Sequence, residues 1–189
     1  MAAWGRLADK AEMYFGKKRG SGMGLAEFER KRDEKIDGVI YDMWPSPGYR
    51  HFVVDGNIHR IIANGLVNSI CRVSMENLDF QYHPDVNDDY VCPDIMVICD
   101  RKHLKGGAYS GVPKFIAETL SHSTAKRDRT EKKDIYEQAG VEEYWIVSPV
   151  GTIEIYYLQD GKYVLEQSYM FQGDREDEDY NAETEICVK

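Results

Sequence analysis

The chain has no run of eighteen apolar residues, so no stretch reads as a membrane span. Its opening, Met1 to Lys10, lacks the apolar core of a signal peptide. No CxxC pair occurs among Cys71, Cys92, Cys99 and Cys187, which argues against a zinc site or a disulfide framework. Cys92 and Cys99 share one apolar stretch and read as buried thiols, as expected in a reducing cytoplasm. Net positive charge is also missing. The 24 Lys+Arg against 33 Asp+Glu leave −9, which argues against bulk attraction to nucleic acid. Repeats and a clear second domain are absent. The Gly-rich stretch 20–24 follows no strand and precedes no GK[ST], so it reads as a linker and not as a phosphate loop. No Gly-x-Ser-x-Gly elbow frames Ser121-His122-Ser123, which leaves serine hydrolysis poorly supported.

What is present suits one folded domain. At 42% hydrophobic and 12% aromatic, 189 residues can bury a sizeable core. The charge is uneven. Asp174 to Glu185 carries seven acids and one Arg, and the remainder of the chain is only −3. Residues 1–24 read as an extension with a short amphipathic helix and the linker. Residues 25–173 read as the core, and 174–189 as an acidic terminal segment.

Within the core, 25–33 reads as a helix and 36–43 as a strand. His51 to Ile70 is the longest amphipathic helix, with Phe52, Val53, Ile58, Ile61, Ile62, Leu66, Val67 and Ile70 near a 3.6 period. His51 stands at its start, where a polar group can face a cleft, while His59 reads as a surface residue. Cys71 to Tyr82 reads as a strand, and 83–89 as a polar loop. Lys162–Tyr169 pairs with Thr152–Leu158 around an Asp160-Gly161 turn. This hairpin carries Tyr156, Tyr157, Tyr163 and Tyr169, so it is either a dimer face or core. A last strand is expected over 183–188.

The chemistry concentrates between Tyr90 and Pro149. Two apolar strands, Val91–Cys99 and Lys114–Leu120, carry Asp94 early in one and Glu118 late in the other. Antiparallel pairing centred on residue 106, where Gly106-Gly107 lies, sets those two acids side by side. A polar helix follows, from Thr124 to Ala139, ending at Gly140. It carries Lys126, Arg127, Arg129, Lys132 and Lys133, the obvious basic patch. Lys132 shares a face with Asp128 and Tyr136. Two carboxylates at a strand end make a hard-oxygen site for Mg²⁺ (or Mn²⁺), and a nearby ammonium suits an anionic substrate. Asp94, Glu118 and Lys132 supply those roles. Two-carboxylate glycoside chemistry is formally open, but the basic helix argues for a phosphate.

Pro93-Asp94, Glu118-Thr119-Leu120-Ser121, Ser123-Thr124, Asp128, Lys132, Tyr136, Gly140-Val141 and Glu143-Tyr144-Trp145 together resemble the Uma-two family. That family groups bacterial endonucleases of the restriction-endonuclease-like, PD-(D/E)xK superfamily. The resemblance runs from about Leu25 to Tyr163. It implies an α/β (α+β) fold, a mixed central sheet flanked by helices, with the late hairpin as an addition. It implies Asp94 and Glu118 as metal ligands and the Thr119 carbonyl as a third. The superfamily's usual lysine stands two residues after the acid, where this chain has Leu120, so the role passes to Lys132, with Lys133 as fallback. Glu34 is implied as an accessory acid from the opening helix, and His51 as the family's helix-start histidine. His122 departs from the family's more frequent proline. Taken together, the expectation is a Mg²⁺-dependent nuclease acting on DNA in the cytoplasm. Lys126, Arg127 and Arg129 would contact phosphates, and a homodimer would suit a double-strand cutter. The alternatives are an inactive nuclease-fold module that binds nucleic acid or assembles, and an enzyme of small phosphoesters.

Overall fold

The computed structural model describes residues 33–43, 48–76 and 78–170. The expected helix over 2–15, all but Asp33 of the one over 25–33, the linker, the strand over 183–188 and the acidic segment lie outside these residues.

The order of elements follows the hydrophobic pattern with some revisions. A hairpin comes first, β1 (Asp33–Ile36) and β2 (Val39–Asp42), paired antiparallel. The sequence reading had one strand over 36–43. Asp37 and Gly38 both take positive φ, 50° and 76°, and this pair is a hairpin turn, so the chain reverses there. Glu34 therefore sits on a strand and not on a helix. Its burial alternates with that of its neighbours, so Glu34 and Ile36 point inward.

Helix α1 spans Tyr49–Gly65. It is shorter than the expected 51–70, and Val67 and Ile70 lie beyond it, exposed. Its inward face is carried by His51, Asp55 and Ile58, one turn apart in succession, with Val54 and Ile62 beside them. Phe52, expected inside, is 63% exposed. The apolar period overlooked Asp55, because that core-facing position of the helix is polar.

The expected strand 71–82 is two short strands in different sheets, β3 (Arg72–Met75) and β4 (Asp79–Phe80). Then come β5 (Ile95–Ile98), β6 (Leu104–Lys105), β7 (Ala108–Tyr109) and β8 (Phe115–Thr119). The polar helix is broken. It consists of α2 (Ala125–Arg129) and α3 (Glu131–Ala139), separated at Thr130. Gly140 closes α3 at φ 85°, as its position after the last helical residue predicts. Strands β9 (Glu143–Ser148), β10 (Thr152–Gln159) and β11 (Lys162–Met170) complete the described chain.

Six strands form the central sheet in the order β11-β10-β9-β8-β5-β3. Only β8 and β9 pair parallel, joined by the α2–α3 crossover. Strands β5 and β8 pair antiparallel with Ile95 opposite Ala117 and Met96 opposite Ile116, which is the register centred on residue 106. Gly106-Gly107 does make a turn there, but it is the tip of the added β6–β7 hairpin, which joins β4 in a small three-stranded sheet.

The two faces of the central sheet bury separate cores. Ile95, Val97 and Ala117 pack with Ile58 of α1. Met96, Ile98 and Ile116 pack with Tyr136 of α3 and with Tyr144, Ile146 and Tyr156. The Tyr144 ring meets Tyr136 edge-on, Tyr156 at a tilt and Tyr163 stacked, at ring separations of 5.1–6.3 Å. The question of the hairpin tyrosines is thus divided. Tyr156 and Tyr163 belong to the core, whereas Tyr169 is exposed with Val164, Leu165 and Met170 on β11. Cys71 and Cys99 flank the β3–β5 pair and form a disulfide. This corrects the reading of Cys99 as a thiol and removes the cysteine argument for a reducing compartment. Cys92 is buried, as expected.

Candidate metal centre

The end of the β5–β8 pair brings the predicted acids together. Asp94 precedes the first paired residue of β5, and Glu118 is the penultimate residue of β8. The Asp94 amide lies 3.4 Å from Glu118 Oε2 and donates to it. Asp94 Oδ2 accepts from the Thr119 amide at 2.8 Å. Alternation along β8 turns Glu118 toward α3 and Thr119 toward α1, so the site has two sides.

On the α3 side, Glu118 is almost fully buried. Its Oε1 accepts from Lys132 Nζ at 2.9 Å and from the Tyr136 hydroxyl at 2.5 Å. Lys132 is 2% exposed and also reaches Glu34 Oε1 at 2.8 Å and Asp128 Oδ1 at 3.6 Å. Glu34 is held in turn by the Cys92 amide at 3.0 Å and by Arg127 at 3.4 Å. Burial works against the Lys132 ammonium, but Glu118, Glu34 and Asp128 outweigh it and hold its pKa well above the usual lysine range. Burial pushes Glu118 up, opposed by Lys132 and reinforced by Asp94, Asp128 and Glu34. Asp128 is raised for the same reason, with Lys132 opposing.

On the α1 side, His51 stands between two carboxylates. Its Nε2 is 3.3 Å from Asp94 Oδ2, and its Nδ1 is 2.8 Å from Asp55 Oδ2. Asp55 is completely buried and accepts from the Thr119 hydroxyl at 2.5 Å. Burial pulls the His51 pKa down, yet hydrogen bonding to Asp55 and Asp94 overcomes it and lifts the pKa to about 10. Burial raises Asp55, with Asp94 adding to it and His51 opposing. Glu76 follows β3 at φ 32°, and its amide donates to the Asp94 carbonyl at 3.0 Å. One ligating atom each from His51, Asp55, Glu76 and Asp94 lie within 4.8 Å of one another.

The remaining sequence candidates separate. Lys133 lies 3.9 Å over the Tyr156 ring, so it is Lys132 that meets Glu118. Arg127 pairs with Glu34 and stacks 4.1 Å from the Tyr41 ring centroid. Arg129 pairs with Glu154 at 2.8 Å. Lys126 is exposed. The expected basic patch is therefore largely tied to neighbouring acids. Sequence reasoning missed Asp55 and Glu76. Asp55 was findable, four residues after His51 on the face that carries Ile58 and Ile62. Glu76 gave no signal, since it joins the group only through the turn after β3.

The donor set fits a divalent cation. Buried carboxylates outnumber the cations among them, and burial first, with neighbouring carboxylates adding to it, raises the pKa values of Asp55, Glu118 and Asp128. His51 Nδ1 and Asp55 Oδ2 face each other as a buried ion pair at 2.8 Å.

The Uma2 family, described as "Putative restriction endonuclease", matches residues 25–181. The chain belongs to this family. The match covers the whole of the described site, including Glu34, Asp94, Glu118 and Lys132. The uncharacterized protein slr1290 of Synechocystis sp. is 29% identical over 136 residues, 71% of this chain and 70% of that protein. The fold is similar to the crystal structure of a putative nuclease belonging to DUF820 from Anabaena variabilis, with TM-score 0.57 and 20% identity over 70% of this chain and 75% of that one. The Uma2 fold here is the expected mixed sheet with flanking helices. Among the described residues, no helix is long and apolar enough to cross a membrane.

Proposed function

We propose that this Uma2 protein is a metal-dependent endonuclease that hydrolyses DNA phosphodiester bonds. The observation that carries the reading is the junction at the end of the β5–β8 pair. There Asp94 and Glu118 adjoin, and Lys132 Nζ lies 2.9 Å from Glu118. Asp94, Glu118 and the Thr119 carbonyl would hold Mg²⁺ or Mn²⁺, which supplies Lewis-acid charge at a phosphate and lowers the pKa of a coordinated water. Thr119 fixes one Asp94 oxygen through its amide. Tyr136 and Lys132 fix one Glu118 oxygen and leave the other toward Asp94. Lys132 would lend positive charge to a phosphate bound at the acids, and Glu34 and Asp128 hold it beside them. Lys126, which is exposed, would meet a backbone phosphate. Arg127 and Arg129 contribute only where DNA displaces Glu34 or Glu154.

The test is cleavage of supercoiled plasmid in Mg²⁺ and in Mn²⁺ by the full chain and by Asp94→Ala and Glu118→Ala. Loss of cutting in both variants supports the proposal. Cutting retained by either purified variant overturns it. A second reading, a non-catalytic nucleic-acid-binding or assembly module, draws on the same pairing of Arg127 and Arg129 with acids and on the net charge of −9. Binding of DNA without cutting under every metal condition would favour it. A cytoplasmic site of action and a homodimer through the exposed face of β11 belong to the preferred reading. Sedimentation of the full chain tests the dimer.

A further inference from the structure

We infer that Asp55 is a positioning residue of the metal centre: from α1 it holds Thr119 and His51, and through them it fixes the Asp94 oxygen that both of them contact. This role rests on the reading above, in which Asp94, Glu118 and the Thr119 carbonyl hold a divalent ion.

Four residues close a ring. Asp55 Oδ1 accepts from the Thr119 hydroxyl at 2.5 Å, and Asp55 Oδ2 lies 2.8 Å from His51 Nδ1. The other ring nitrogen of His51 lies 3.3 Å from Asp94 Oδ2. The Thr119 amide donates to that same oxygen at 2.8 Å. Asp55 therefore reaches one oxygen of Asp94 by two routes, one through the start of α1 and one through the end of β8. Asp94 cannot rotate its carboxylate without breaking both contacts. They engage Oδ2, so Oδ1 is the Asp94 oxygen that would take the ion. The hydroxyl bond also anchors Thr119, whose carbonyl is the third ligand of that reading.

Stability alone gives Asp55 little reason to be where it is. It is 0% exposed and lies on the inward face of α1 with His51 and Ile58, beside Val54 and Ile62. Helical spacing calls for an apolar residue at that position. A buried carboxylate loses its water, and pairing it with a buried imidazole returns little net stability compared with apolar packing. A side chain that breaks the pattern of its own helix in this way points to a site that it serves. Groups behind the ligands of metal sites do this work. They hold a ligand in one orientation, and their loss costs about 10–100-fold in metal affinity. Lys132 and Tyr136 restrain Glu118 in the same manner on the other side of the sheet.

The test is Mn²⁺ titration of the full chain by isothermal titration calorimetry, with circular dichroism confirming that each variant is folded at the titration temperature. Asp94→Asn and Glu118→Gln probe the centre itself, and each should weaken binding. Asp55→Asn keeps the shape of the side chain and should weaken binding about 10–100-fold, although Asp55 is not a ligand. Thr119→Val deletes the hydroxyl link and should weaken binding by a smaller factor. Thr119→Ser, which keeps the hydroxyl, should restore most of that loss. Asp55→Asn and Thr119→Val cut the same link, so the double variant should lose less than the product of the two single losses. Independent structural damage would multiply instead. If Asp55→Asn does not fold, the contrast between Thr119→Val and Thr119→Ser decides. Binding that is weakened by Asp94→Asn and Glu118→Gln but unchanged in folded Asp55→Asn, or in Thr119→Val, overturns the positioning role and leaves the metal centre standing. Equal losses in Thr119→Val and Thr119→Ser, or multiplying losses in the double variant, overturn it as well. No Mn²⁺ binding by wild type at millimolar concentration, or binding indifferent to Asp94→Asn and Glu118→Gln, overturns both the role and the centre.

Discussion

Lys132 Nζ lies 2.9 Å from Glu118 Oε1, joining α3 to the end of β8 inside the protein. The pair is not isolated, since Glu34 and Asp128 share the same ammonium. A buried charge with several opposite partners is costly to disturb from one side, because the carboxylates remain buried after the cation is gone.

Lys132→Met should therefore destabilise the fold by about 3–5 kcal/mol. It should also remove any cleavage activity. Urea unfolding of the variant checks the first expectation. A loss below about 1 kcal/mol would mean that water reaches these carboxylates readily.

Tyr136→Phe keeps the ring that packs against Phe80 and Tyr144 but deletes the hydroxyl that donates to Glu118. The expected cost is about 1.5–3 kcal/mol, the range for a lost bond to a charged group. The same substitution frees one side of Glu118, so any metal-dependent cutting should fall while folding persists. Thermal unfolding and plasmid cleavage, measured together, separate the two effects.

The Cys71–Cys99 disulfide closes a loop between positions 28 apart in sequence. Chain-entropy reasoning gives it about 3–4 kcal/mol. Unfolding midpoints should drop in reductant for wild type and not for the Cys71→Ser/Cys99→Ser variant. Blocking Cys71 and Cys99 should require prior reduction, as peptide mapping of alkylated, denatured full chain would show. Alkylation of both without reductant would mean that the bridge does not form in solution.

Glu137 accepts from Lys162 at 2.6 Å and from the Tyr163 amide at 2.7 Å, and these bonds hold its pKa below the usual glutamate range. A depressed folded pKa stabilises above the unfolded value, about 4.3, and that stability disappears as pH falls through the folded value. Wild type should exceed Glu137→Gln in stability by a constant margin above about pH 5. The margin should close on acidification below pH 4. Chemical unfolding across that range checks the sign, and a margin that widens on acidification would reverse it.

Several features were legible before any coordinates. The acids on two apolar strands, with Gly106-Gly107 between them, implied the pairing centre that β5 and β8 adopt. Asp160-Gly161 marked the β10–β11 turn, and Gly140 marked the end of α3. Asp37-Gly38 carried the same hairpin signal as Asp160-Gly161, and missing it placed Glu34 on a helix. The break at Thr130 had no such mark, because nothing in the polar run Lys126 to Asp134 distinguishes one helix from two. The disulfide was not legible either. It depends on β3 lying beside β5 in a register that sets Cys71 against Cys99.

The sequence by itself determined the strands that carry Asp94 and Glu118, their register, and the helix that delivers Lys132, because alternation, turn residues and helical spacing are local properties of the chain. Only the tertiary structure decided which other groups meet them. Glu34 comes from β1, His51 and Asp55 from α1 and Glu76 from the turn after β3, and their positions follow from how those elements pack around one strand end. Burial then sets the charge balance, since the cost of a carboxylate depends on the neighbours that replace its water, and those neighbours are distant in sequence.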